Sequence, residues 1–136
     1  MANYKIEDIE GIGEVTGKKF REAGVKDTDA LLAASTTPSA RAKLAEATGL
    51  STAQVLKFAN MADLYRIHGV GSDYAQLLEA AGVDTVPALA RRAPANLAAT
   101  LAQVNEEKKL TRRVPPEADV AKWVEQAKEL PRVLEY

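Results

Sequence analysis

The chain has 136 residues, 46% hydrophobic and 27% charged, enough for one compact domain or two very small ones sharing a core. It has no cysteine, which excludes disulfides and thiolate or iron–sulfur chemistry, and no run approaches the ~18 apolar residues of a transmembrane helix. Net charge is −1, with 9 basic and 9 acidic residues before Ile67 and 9 and 10 from it onward, so neither half is the polycation that tight nonspecific DNA binding favours.

Residues 4–10 read as a short helix with Ile6 and Ile9 on one face, interrupted by Gly11-Ile12-Gly13. Residues 14–23 form a second helix expected to bury Val15, Phe20 and Ala23 and to stop at Gly24, a C-cap glycine. Asp27 or Thr28 caps the next helix, which carries Leu31 and Leu32. Pro38 starts another that ends at Thr48-Gly49. Ser51 caps a longer helix presenting Val55, Phe58, Met61, Ala62 and Leu64 and running into Ile67.

From there the order repeats. Gly11, Ile12 and Gly13 recur as Gly69, Val70 and Gly71, an offset of 58 (69 − 11). Gly17 and Ala75, Phe20 and Leu78, Ala23 and Ala81, Gly24 and Gly82, Val25 and Val83, Leu31 and Leu89 keep that offset. Helices are expected over 72–81, over 84–92 and over 94–104, the last with Leu97 and Leu101. The final helix, 116–130, aligns with the Ser51 helix at an offset of 65 (120 − 55), pairing Val55 with Val120, Phe58 with Trp123 and Ala62 with Ala127. The offset has grown by 7 (65 − 58), which places an insertion around residues 105–113, the most charge-dense stretch. The expected architecture is all-α: two pseudo-repeats, residues 1–66 and residues 67–136, packed as one helical domain, the second carrying a basic inserted loop.

A glycine turn at a helix start bares backbone N–H groups that can hold an anion such as phosphate. The first turn, Gly11, Ile12 and Gly13, is followed by Lys18, Lys19 and Arg21, which suits phosphate contact. The second, Gly69, Val70 and Gly71, is followed by Ser72, Asp73 and Gln76, with no cation, and so is expected to be structural. Lys108, Lys109, Arg112 and Arg113 form a basic loop that could hold phosphates, an acidic protein or an anionic lipid headgroup and so assist the first turn; partly neutralised by Glu106 and Glu107, it is expected to be a solvated face. His68 reads as a turn-surface histidine, and Glu7, Asp8, Glu10 and Glu14 as solvent-facing charge. One histidine without cysteine speaks against a zinc site, and neither a phosphate-loop lysine motif nor a nucleophile elbow is present. No catalytic residue, metal, cofactor or small-molecule substrate is therefore expected. The first residues lack the pattern of a signal peptide, so a cytoplasmic location without membrane association is the default.

The spacing Ile9-x-Gly11-Ile12-Gly13-x-x-x-Gly17-x-x-Phe20, with its partner Ile67-x-Gly69-Val70-Gly71-x-x-x-Ala75-x-x-Leu78, resembles the helix-hairpin-helix motif. The resemblance implies nucleic-acid binding without sequence preference, through hairpin N–H groups and nearby cations on phosphates. The order of the whole chain resembles a bacterial family of uncharacterised proteins made of tandem helix-hairpin-helix repeats. The segments that carry this are Asn60-Met61-Ala62-Asp63-Leu64, Leu77-Leu78-Glu79-Ala80-Ala81-Gly82-Val83-Asp84-Thr85, Val104-Asn105-Glu106-Glu107-Lys108-Lys109-Leu110, and Trp123-Val124-Glu125-Gln126-Ala127-Lys128-Glu129-Leu130-Pro131. That likeness implies a fold and no activity. Residues 44–55, two helices around Gly49, resemble a DNA-binding helix-turn-helix, but Arg113-Val114-Pro115-Pro116 breaks the pattern in the second copy; a degenerate second hairpin is the expectation. The sequence thus leads to a non-catalytic binding module, with nucleic acid at the first hairpin. The alternative is a protein-interaction or scaffold module, able to self-associate, that ignores nucleic acid.

Overall fold

The computed structural model describes residues 3–136, and among them the chain forms eight α-helices, one 3-10 turn and a single isolated bridge between Lys5 and Asp27. The helices are α1 (Glu14–Glu22), α2 (Thr28–Ala34), α3 (Pro38–Thr48), α4 (Thr52–Leu64), α5 (Ser72–Ala80), α6 (Val86–Ala90), α7 (Pro94–Lys108) and α8 (Glu117–Glu129). None is long and apolar enough to cross a membrane.

Local chemistry explains most of the boundaries. Side-chain oxygens of Asp27, Thr37, Ser51 and Thr85 accept from the first turns of α2, α3, α4 and α6, and Ser51 with Gln54 completes a capping box. Gly49 closes α3 in the left-handed conformation, φ 74°. By contrast α1 and α5 start from Gly13 and Gly71 with no side-chain cap, leaving their first amides open.

The two glycine turns follow the same backbone path. Gly11 and Gly69 take φ of 92° and 96°, a conformation costly to any residue with a Cβ. Ile12 N–H donates to Ile9 O as Val70 N–H does to Ile67 O, and Val25 N–H to Phe20 O as Val83 N–H does to Leu78 O. An aromatic from the fourth helix of each half presses on the first glycine. A Cβ on Gly11 would lie 3.3 Å from Phe58, and one on Gly69 would lie 3.1 Å from Nε1 of Trp123. Helix α4 packs on α2 and α3, and α8 packs on α6 and α7 in the same way, with α1 on α3 and α5 on α7. Both halves feed one buried cluster that includes Ile6, Phe20, Leu31, Leu64, Tyr65, Ile67, Leu78, Leu89, Leu101 and Val120.

Several expectations need correction. Residues 4–10 make only the 3-10 turn Ile6–Asp8, because Ile6 N–H is drawn to Lys26 O and Thr28 N–H to Tyr4 O, contacts that hold the segment extended; Ile6 and Ile9 are buried nonetheless. Val15 is not in the core but 71% exposed; the buried face of α1 is Gly17 and Phe20. Helix α4 stops at Leu64 rather than reaching Ile67, and α6 is only Val86–Ala90. Residues 105–108 are not loop: they form the last turn of α7, so the insertion lengthens a helix before it makes a turn.

A buried polar seam joins the halves. Asp63 Oδ1 receives Arg66 Nη1 at 2.9 Å, and its Oδ2 receives the first amide of α6, Val86 N, at 3.0 Å. Arg66 donates onward to Pro131 O at 2.7 Å, Arg41 to Glu135 O at 2.7 Å, and Glu135 N to Thr36 O at 2.8 Å. The last six residues are thereby strapped back across the first half.

Candidate functional site

At the first turn, Ile12 is buried at 4% exposure and serves as a plug, while Gly13 opens α1 toward solvent. Lys18 and Lys19 are exposed, with Lys18 only 4.0 Å from Glu22 in a pair that water screens. Arg21 is not available to a ligand. Its Nε and Nη2 grip Glu7 at 2.7 and 2.6 Å, a bidentate fork over Gly17, where a Cβ would come within 2.6 Å of the carboxylate. The Arg21 hydrogen bonds hold the Glu7 carboxyl at about 2, well below its ordinary 4.5. Exposed Glu10, Glu14 and Val15 complete this end of the molecule, which is thus acidic and partly apolar.

The second turn has different surroundings. A cleft of about 950 Å3 opens between Gly69, Gly71 and the start of α5 on one side and residues 109–113 on the other. Tyr74 and Leu110 line it, Asp73 contributes one negative charge, and Lys109, Arg112 and Arg113 contribute three positive ones. Among the described residues no carboxylate lies within 4.0 Å of these three cations. The amides of Gly71, Ser72 and Asp73 have no acceptor there, and the positive end of the α5 dipole faces the same space.

The basic segment is held in place. Asn105, 8% exposed, donates from Nδ2 to Thr111 O at 3.0 Å and accepts from Thr111 N at 2.9 Å. Thr111 Oγ1 donates to Arg113 O at 2.8 Å. Lys109 turns the chain in the left-handed region, φ 52°, the one such non-glycine residue described. On the other flank, Gln126 of α8 clamps the turn by accepting from His68 N at 2.8 Å and donating to His68 O at 3.1 Å. His68 itself is exposed.

The structure therefore brings together two features the sequence kept apart: the cation-poor second turn and the basic segment some 40 residues later (109 − 69). Asn105 and Gln126, which fix the two walls, were not singled out. Asn105 did carry a weak signal, an amide inside a run of charges. Lys108 is exposed on the last turn of α7 and does not line the cleft.

A protein family described as a domain of unknown function, DUF4332, matches residues 10–130 of the chain. No curated protein and no solved structure matches it.

Proposed function

We propose that this chain, which belongs to the DUF4332 family of domains of unknown function, is a non-catalytic module that binds nucleic-acid backbone without regard to sequence. In this proposal its two glycine turns are helix-hairpin-helix units of a cytoplasmic bacterial protein. The first is mainly architectural, and phosphates occupy the cleft at the second. The observation that carries the reading is the meeting of uncapped α5 amides with Lys109, Arg112 and Arg113, none of which has a carboxylate partner among the described residues. At the first turn Arg21 is already paired with Glu7, which leaves the exposed Lys18 and Lys19 as its cations.

Three phosphate contacts imply a modest affinity with a definite salt response. The slope of log K on log salt is about −2 to −2.7, so binding weakens about 20- to 40-fold between about 50 and 200 mM salt. Titration of labelled single-stranded and duplex DNA by fluorescence anisotropy tests this. Arg112→Glu/Arg113→Glu is expected to abolish binding, and Lys18→Glu/Lys19→Glu to weaken it little. No binding at about 50 mM salt, or equal binding by the Arg112→Glu/Arg113→Glu protein, refutes the reading.

A second reading belongs to the first turn. Val15 is 71% exposed beside Glu10 and Glu14, a surface suited to a protein partner and ill suited to phosphate.

A further inference from the structure

The cleft does not end at the second turn. A smaller depression of about 250 Å3 adjoins it on the α8 side, lined by His68, Lys122, Trp123 and Gln126, and the two share Gly69 and Tyr74. The result is one groove. Its cations, Lys109, Arg112 and Arg113, stand at one end; Lys122, with Asp119 one turn before it on α8, stands at the other. Tyr74 sits at the junction, half-buried, its ring 5.2 Å from that of Trp123 and tilted by 53°. Trp123, 4% exposed and pressed on Gly69, packs against the Tyr74 ring.

An aromatic ring at the junction of a cationic groove has a specific use. A base whose π-face is free can stack on it while the flanking phosphates meet the cations. In a duplex the bases are stacked on one another and their faces are closed, so only the backbone would reach such a groove. The first turn offers no aromatic counterpart, since Thr16 stands where Tyr74 does (74 − 58).

From this junction we infer that the groove selects single-stranded over duplex nucleic acid, with one base against Tyr74 and its neighbouring phosphates on Lys109, Arg112 and Arg113. The inference rests on the backbone-binding reading above and adds the form of the ligand to it. The fall in affinity on losing one stacked base is on the order of 5- to 150-fold.

The test uses the whole chain, an oligothymidylate of about 12 nucleotides, and a blunt duplex of about the same length, at low salt. Tighter binding of the single strand is expected. Tyr74→Leu should lose single-strand affinity by the stated factor, and by more than it loses duplex affinity, while Tyr74→Phe, which keeps the ring, should retain it. If Tyr74→Leu disturbs folding, the emission of Trp123, the one tryptophan, decides in the parent protein: a change with the single strand and none with the duplex is expected. Equal affinity for both forms, unchanged single-strand binding by Tyr74→Leu, or an equal emission response overturns the inference. Backbone binding would still stand if Arg112→Glu/Arg113→Glu abolished it. Binding of neither form overturns both.

Discussion

Replacing Asp63 by alanine removes the group on which the joint between the two halves converges. Both carboxylate oxygens are used, one by Arg66 at 2.9 Å and one by the Val86 amide at 3.0 Å, and the residue is 1% exposed. Alanine leaves the Arg66 guanidinium, 7% exposed, with only Pro131 O at 2.7 Å, and leaves the first amide of α6 without an acceptor. Breaking a buried pair from one side costs about 3–5 kcal/mol. Against a total stability of about 5–15 kcal/mol, that is a third or more of the fold in a typical case. The expected fall in Tm is about 10–20 °C. Urea unfolding followed by the emission of buried Trp123 measures the free energy directly. The same series separates the pair from the burial. Asp63→Leu with Arg66→Met removes both charges and is expected to recover the part of the loss due to the unpaired guanidinium, the Val86 amide still lacking its acceptor. A loss below about 1 kcal/mol for Asp63→Ala would refute the argument, since the carboxylate would then be dispensable at the seam.

Gly69→Ala is expected to cost at least about 2 kcal/mol, from the strain of φ 96° and the close approach to Trp123, whereas Gly82→Ala, at φ 90° with open space beside it, should cost about 1 kcal/mol; equal urea midpoints would contradict this. Lys109→Gly relieves the left-handed residue at the end of α7 and should raise stability by about 0.5–1 kcal/mol while weakening DNA binding, a split that calorimetry and anisotropy read separately; a loss of stability would show that φ 52° is unstrained. The Glu7–Arg21 fork makes a pH prediction. Its carboxyl is depressed from 4.5 to about 2, so the contribution of the pair is present in full above the ordinary value and is lost only as pH falls through the folded one. An NMR titration of the Glu7 side chain should give a midpoint of about 2, moving up toward the ordinary value in Arg21→Ala; a midpoint already near 4.5 in the parent would mean that the fork does not persist in solution.

Local signals carried the all-helical architecture, whereas the surroundings of each glycine turn depend on residues distant in sequence. Ser51 was legible as a cap, and the α2 cap was narrowed to Asp27 or Thr28, because capping is settled within three residues; the offset of 58 between the glycine turns was legible because both must solve the same steric problem. Val15 shows where periodicity alone fails. Its helix has a polar cover, Glu7 lying over Gly17, so the apolar stripe is narrower than the spacing of Val15, Phe20 and Ala23 suggests. The cleft was not legible because its walls come from α5 and from the turn after α7. The growing offset marked where extra residues lay, but nothing in it marked what they would face. Arg21 looked free for the same reason: its partner Glu7 lies 14 residues away across an irregular segment.

The strap formed by residues 131–136 bears on whether either half is self-sufficient. Arg41, 5% exposed on α3, spends one arm on Ser35 O and the other on Glu135 O, 94 positions later. The first half therefore buries a cation that takes its second acceptor from the strap, and Arg66 draws on Pro131 in the same way. Despite the duplicated pattern, the halves are not two interchangeable beads: two guanidiniums of the first are satisfied by carbonyls that lie beyond α8.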